Sequence, residues 1–430
     1  MVVITNILLA SLLAAAGLGS ALPPRVGTTV IESNGIHGAG KTTLKQARKP
    51  GAHTYFNGAR AIYRTYLKYG APVPEDLLKA VAKIDGENEA FLKQKRTTGS
   101  AAAVPIDVID IAYVTPVTIG TPPQTLNLDL DTGSSDLWVF SSLTPANQVQ
   151  GQEIYTPAKS TTAKLLNDHT WSITYGDGSA SRGTVYTDNF TIGGLEVPSQ
   201  AVQTANQVST GFTTEAHIDG LVGLGFSTLN TVSPSSQLTF FDNAKSKLDA
   251  PVFAVDLKYK ATGTYDFGFI DKAKYTGEIT YTPVNNKPGY WTFTSSGWGV
   301  GAGNFTETPV TGIADTGTTL LYLPTAIVTA YYRQVSGATN SRSYGGYVFP
   351  CTATLPPFTF GIGPTKFVIP ASYINYARVS ATSSQCFGGI QSSSSIGINI
   401  FGDVALKAAF VVFNGAEPPT IGWAAKPLVT

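Results

Sequence analysis

Asp131-Thr132-Gly133-Ser134-Ser135 and Asp315-Thr316-Gly317-Thr318-Thr319 decide how the rest of the chain is read. Each closes an apolar stretch, and each continues into hydroxyl residues. Before the first, Thr125-Leu126-Asn127-Leu128-Asp129-Leu130 alternates as a half-buried strand should. Thr311-Gly312-Ile313-Ala314 repeats that grammar before the second. Gly133 and Gly317 are expected to let the backbone turn tightly beside the carboxylates. A second pair of landmarks keeps register: Leu221-Val222-Gly223 ends 92 residues after Asp131, and Ile400-Phe401-Gly402 ends 87 after Asp315. Two landmarks at matched spacing predict a duplicated, all-β fold in which each half supplies one carboxylate to a shared site.

Composition agrees with that class. Charged residues make up only 13% of the 430, while the chain holds 44 Gly, 20 Tyr and 21 Phe, which favours strands and turns over long amphipathic helices. Residues 1–21 read as a secretory signal, with an apolar core from Ile4 to Leu18 and small residues Gly19, Ser20 and Ala21 at the cleavage point. Nothing later has the length and apolarity of a membrane span, so a secreted, extracellular protein with no membrane partner is expected. In an oxidising compartment Cys351 and Cys386 suggest one disulfide, two buried thiols being the alternative. Asn189-Phe190-Thr191 and Asn304-Phe305-Thr306 are sequons, which makes Asn189 and Asn304 candidate glycosylation sites.

A basic leader precedes an acidic body. Leu22 to Arg96 holds 13 Lys+Arg against 6 Asp+Glu, a net of +7; from Thr97 onward the counts are 16 and 22, a net of −6. The leader also has helical apolar spacing, over Ala59–Tyr69 and Pro74–Lys93, that is rare elsewhere. It ends at Lys95-Arg96 before the loose stretch Thr97-Thr98-Gly99-Ser100-Ala101. A pro-segment laid by charge over an acidic body fits these features, and acid would loosen it. Gly35 to Thr42 formally matches the phosphate-cradling loop G-x-x-x-x-G-K-[ST]. A poor helix cut by Pro50 follows it, with no alternation of strand and helix, so nucleotide binding is only a remote alternative.

Hydrolysis of a peptide bond needs an activated water and a proton for the leaving nitrogen. Two carboxyl groups close enough to share a proton supply both, because mutual repulsion keeps them from ionising together. Other chemistries fare badly here. After the leader only His169 and His217 remain, neither in a zinc-ligand pattern, and no G-x-S-x-G elbow presents a serine.

From about residue 110 onward the chain resembles the pepsin-like aspartic proteases of the fungal penicillopepsin and aspergillopepsin type. The likeness rests on the stretches 131–139 and 313–321, on Tyr175-Gly176-Asp177-Gly178-Ser179, on Asp219-Gly220-Leu221-Val222-Gly223 and on Ile400-Phe401-Gly402-Asp403-Val404. It implies a bilobal fold with a pro-segment over 22–100, an N-terminal lobe over 101–272 and a C-terminal lobe over 273–430. It also implies an aspartic endopeptidase, made as a zymogen and active in acid on protein and peptide substrates. Asp131 and Asp315 would be the catalytic pair, with Ser134 and Thr318 bonding their outer oxygens beside Gly133 and Gly317. Tyr175, Gly176 and Asp177 would lie on a flap over the substrate, near Trp138 and Leu221. Asp177 there is associated with accepting Lys beside the scissile bond, as well as bulky apolar side chains. Asp129, on the same strand face as Asp131, would add negative potential. Lys68-Tyr69 resembles the pair that plugs the site in zymogens, making the pro-segment an intramolecular inhibitor. A monomer is expected, with no metal, organic cofactor or nucleic acid. The rival within the family is a catalytically silent peptide-binding relative.

Overall fold

A computed structural model describes residues 40–45, 57–97, 113–174, 180–216 and 218–429. The signal at 1–21, most of the loop match at 35–42, the junction at 100/101 and the flap residues Tyr175, Gly176 and Asp177 lie outside the described residues. What is described is mostly β, as the alternating runs predict.

The duplication is visible in strand order. In the first half β3 (Gln124–Asp131) runs parallel to β8 (Gly220–Gly223), which is antiparallel to β4 (Leu137–Phe140). β4 in turn runs parallel to β7 (Leu195–Gln207). The second half repeats each relation. Val310–Ala314 is parallel to Ile400–Phe401, which is antiparallel to Leu321–Leu323, itself parallel to Ile390–Ser392. The landmark glycines sit where these strands cross the loop after each aspartate. A side chain on Gly223 would meet Ser135 Cα at 2.5 Å, and one on Gly402 would meet the Thr318 carbonyl oxygen at 2.2 Å. Close approach of two backbones therefore explains both positions.

Around that repeat, β2 (Val114–Ile119), β5 (Lys164–Thr174), β6 (Ala180–Ile192) and the short strand Val232–Ser233 complete an eight-stranded sheet. It folds back on itself where β2 also pairs with β6. A six-stranded sheet joins the halves. From one edge it runs β1 (Thr42–Lys45), Ala261–Phe267, Val252–Lys258, Phe410–Asn414, Thr420–Ala425 and Thr276–Pro283. Its face is aromatic: Phe253 and Phe413 stack at 4.6 Å, and Trp291 meets Phe413 edge-on at 5.2 Å. Such pairs contribute about 0.5–1.5 kcal/mol each beyond the area they bury.

The leader forms both predicted helices, α1 (Gly58–Lys68) and α2 (Glu75–Thr97). Asn57 caps α1 by accepting the Arg60 amide at 2.9 Å, and Gly70, at φ +62°, follows its end. Ala59, Ile62, Tyr66 and Leu67 are buried against the body. Helix α2 opens with Glu75 and Asp76, which suit the positive end of a helix dipole, and it runs through Lys95-Arg96. The nucleotide alternative is overturned at β1. A phosphate-cradling loop must feed a helix, whereas Thr42 begins a strand, and Lys41 pairs with Asp249 at 3.0 Å. Cys351 and Cys386 form the disulfide, beside the pairing of Gly346–Pro350 with Gln385–Gly388.

Candidate active site

Asp131 ends β3, and Asp315 follows the matching strand Val310–Ala314, so the duplicated topology delivers two carboxylates to one place. Both are fully buried. Each is held alike. The Gly133 amide donates to Asp131 Oδ1 at 2.8 Å and Ser134 Oγ to Oδ2 at 2.6 Å. The Gly317 amide donates to Asp315 Oδ1 at 3.0 Å, and Thr318 Oγ1 donates to Oδ2. Ser134 and Thr318 thus each bond the second oxygen of their own aspartate.

The two glycines have a different reason from the one expected. Neither adopts a positive φ. Instead each faces the opposite aspartate: a Cβ on Gly133 would lie 2.5 Å from Asp315 Cγ, and one on Gly317 would lie 2.4 Å from Asp131 Oδ1. They are small so that the carboxylates can converge.

Sequence reasoning assigned nothing to the threonines between them. Thr132 Oγ1 donates to the Ala314 carbonyl at 2.9 Å and accepts the Thr316 amide at 3.0 Å. In return Thr316 Oγ1 donates to the Leu130 carbonyl at 2.6 Å and accepts the Thr132 amide at 3.1 Å. This reciprocal grip locks one half's loop to the other's. The signal was present, since Thr recurs at the same place in both copies.

Lys68, from the end of α1, lies between the aspartates. Its Nζ is 2.7 Å from Asp131 Oδ1 and 2.8 Å from both oxygens of Asp315. Tyr69 donates its hydroxyl to Asp315 Oδ2 at 2.5 Å, and its ring lies 6.0 Å from that of Tyr290. Burial works against the Lys68 charge, but the facing carboxylates outweigh it and hold the ammonium above its usual range. Burial likewise pushes both carboxyls up. For Asp131 it prevails, helped by Asp315's charge; for Asp315 the charge and hydrogen bonds of Lys68, with those of Thr318 and Tyr69, prevail and lower it. The same burial, reinforced by Asp315, raises Tyr69 well above the phenol range and keeps it a donor.

Asp129 lines the same cavity of about 450 Å³ as Asp131, Trp138 and Leu221. Burial first, then the charge of Asp131, raises it to about 7 despite Arg64 and Lys68. With the leader docked, it therefore carries a proton in acid, and the negative potential expected of it is absent there. Trp138 is packed between Trp171, at 6.0 Å, and the edge of Phe212, at 5.3 Å. Arg64 of α1 approaches Glu215 at 3.8 Å, a contact to which no sequence signal pointed.

Comparison with known proteins agrees with this arrangement. The family description "Eukaryotic aspartyl protease" matches residues 112–426. Podosporapepsin of Podospora anserina is 68% identical over 431 residues, covering 100% of both chains. Endothiapepsin of Cryphonectria parasitica is 60% identical over 98% of this chain and 99% of its own. Penicillopepsin-3 of Penicillium janthinellum is 50% identical over 89% and 91%.

Proposed function

The chain belongs to the eukaryotic aspartyl protease family, as an aspartic endopeptidase of the fungal pepsin-like type, and on that footing we propose that Asp131 and Asp315 are its catalytic pair. The observation that carries this is their convergence: both buried, each fixed by a glycine amide and a hydroxyl, and both within 2.8 Å of one ammonium. Once Lys68 leaves, the two carboxyls are left to repel one another, so they share a proton across an acidic window. One takes a proton from the attacking water while the other gives its proton towards the substrate carbonyl; a proton then passes to the leaving nitrogen. Ser134 and Thr318 position the outer oxygens.

The enzyme is made as a zymogen. In this reading residues 1–21 direct secretion, and residues 22–100 are a pro-segment whose Lys68 and Tyr69 block water and substrate alike. The lobes divide near 272/273. Tyr175, Gly176 and Asp177 serve as flap and substrate-binding residues, Trp138 and Leu221 support the cleft, and Asp177 favours Lys beside the scissile bond. Of the sequons, Asn304 is exposed in an irregular stretch and is the better acceptor than half-buried Asn189. The mature enzyme is monomeric and pepstatin-sensitive.

The test is to acidify purified precursor and follow protein cleavage with and without pepstatin. Cleavage that pepstatin stops and that is lost in Asp315→Asn supports the pair. Activity that ignores pepstatin, or survives that substitution, overturns it.

A further inference from the structure

His169 and Ser235 take no part in the chemistry of the aspartate pair, and neither lines the cavity at Asp131 and Asp315. They meet at the end of the eight-stranded sheet formed by β5 and Val232–Ser233. Strand β5 pairs with β6 as far as Leu165 with Tyr186 and resumes at Thr170 with Thr184, so residues 166–169 stand opposite Val185 alone. A bulge of this kind re-aims the side chains it carries. Within it Asp168 takes φ +61°, a left-handed conformation that residues other than glycine seldom adopt. Backbone strain of this sort gathers where a side chain is placed for use.

The side chain so placed is His169. Its Nδ1 lies 2.9 Å from the Asn167 carbonyl oxygen and its Nε2 lies 2.9 Å from Ser235 Oγ. A carbonyl can only accept, so in the neutral ring Nδ1 carries the hydrogen and the Nε2 lone pair receives the Ser235 O–H. That is the tautomer in which a histidine serves as base to a serine. Ser235 is presented from the other side, after the strand Val232–Ser233, whose backbone pairs with β5 at Thr170 and Trp171. Gln237 Nε2 donates to the Ser235 carbonyl at 2.9 Å and lies 3.5 Å from Ser235 Oγ. A donor at that distance from Oγ is within reach of the oxygen of an acyl group bound there. His169 is half-buried and Ser235 exposed, so the ring is held while the hydroxyl stays accessible. A plain fastener between strands would have the same two partners, yet the backbone pairing at Thr170 and Trp171 already sets the register without them.

We propose that Ser235 is an activated nucleophile with His169 as its base, a second reactive centre that takes small acyl esters and organophosphorus electrophiles. Ser235 Oγ attacks the ester carbon while its proton passes to His169 Nε2. The bond to the leaving oxygen breaks, that oxygen takes the proton from Nε2, and acyl-Ser235 remains. Water then gives a proton to Nε2 and attacks the acyl carbon; the bond from that carbon to Oγ breaks, Oγ recovers the proton and the acid departs. With the hydroxyl exposed, selectivity follows the reactivity of the electrophile rather than a fitted pocket.

The full-length precursor is treated with a fluorophosphonate at neutral pH, with pepstatin present, and the labelled residue is mapped by mass spectrometry. Phosphonylation of Ser235 with loss of fluoride is expected, and absence of label there overturns the proposal. Hydrolysis of p-nitrophenyl acetate should fall in Ser235→Ala; turnover that is unchanged in that variant overturns the acyl-transfer step. His169→Gln keeps an acceptor for the Ser235 hydroxyl but no base, so labelling at least about tenfold slower than in wild type is expected. An equal rate would make His169 a fastener only and overturn its role as base. Asp315→Asn separates this centre from the aspartate pair: labelling at the wild-type rate is expected, and its loss would place the reaction at the pair instead.

Discussion

At Lys68, three carboxylate oxygens lie within 2.8 Å of one ammonium, so its removal is the most informative single change. Lys68→Ala is expected to speed acid activation and move its onset to higher pH. The sign follows from Asp315, which Lys68 and the hydroxyls hold below its usual range. The docking free energy it contributes is present above the ordinary carboxylate pKa and is lost as pH falls through the depressed one. An unchanged rate and onset would contradict the role of Lys68. Asp129 has the opposite sign. Raised to about 7, chiefly by burial, it favours the folded precursor below the ordinary pKa and costs stability as pH rises through 7. Asp129→Asn should therefore raise the precursor's Tm more at pH 8 than at pH 6, as read by calorimetry. Gly317→Ala tests convergence itself. A Cβ 2.4 Å from Asp131 Oδ1 must push the carboxylates apart, and displacement of that order is expected to cost about 100-fold in kcat with little change in circular dichroism.

Between elements, the Thr132–Thr316 grip and the disulfide make separable claims. Thr316→Val removes a buried donor to the Leu130 carbonyl and orphans the Thr132 amide, so a loss of about 1–3 kcal/mol in denaturant unfolding is expected. Replacing Cys351 and Cys386 by Ser opens a loop of 35 residues, and the chain-entropy estimate is about 3–4 kcal/mol. At this scale sequence and structure part company in an instructive way. Helices α1 and α2 were legible because helical spacing is local, and Asp131 was legible because alternation into a Gly-bearing turn is local too. The partner of β1 was not. Thr42 pairs with Phe267, and no short-range pattern encodes a register between segments so far apart. The glycines were found for the wrong reason, since close approach across two loops is invisible in either loop alone.

For the whole molecule, the repeated landmarks proved the most readable feature. A parallel strand pair, closed by a glycine against the loop after each aspartate, recurs in both halves. Spacing alone revealed it because duplication preserves spacing. The charge asymmetry was also legible: a +7 leader lies on a −6 body, and Lys68 and Arg64 are leader cations that meet body carboxylates, at Asp131, Asp315 and Glu215. The six-stranded sheet was not legible, because it draws strands from the leader and from both halves, and its register depends on aromatic packing between distant segments. The most direct test of the central claim compares acidified wild-type precursor with Asp131→Asn and Asp315→Asn, following cleavage of a protein substrate. Pepstatin-sensitive cleavage by wild type alone, with both variants folded and silent, is the predicted result; sustained cleavage by either variant would contradict it.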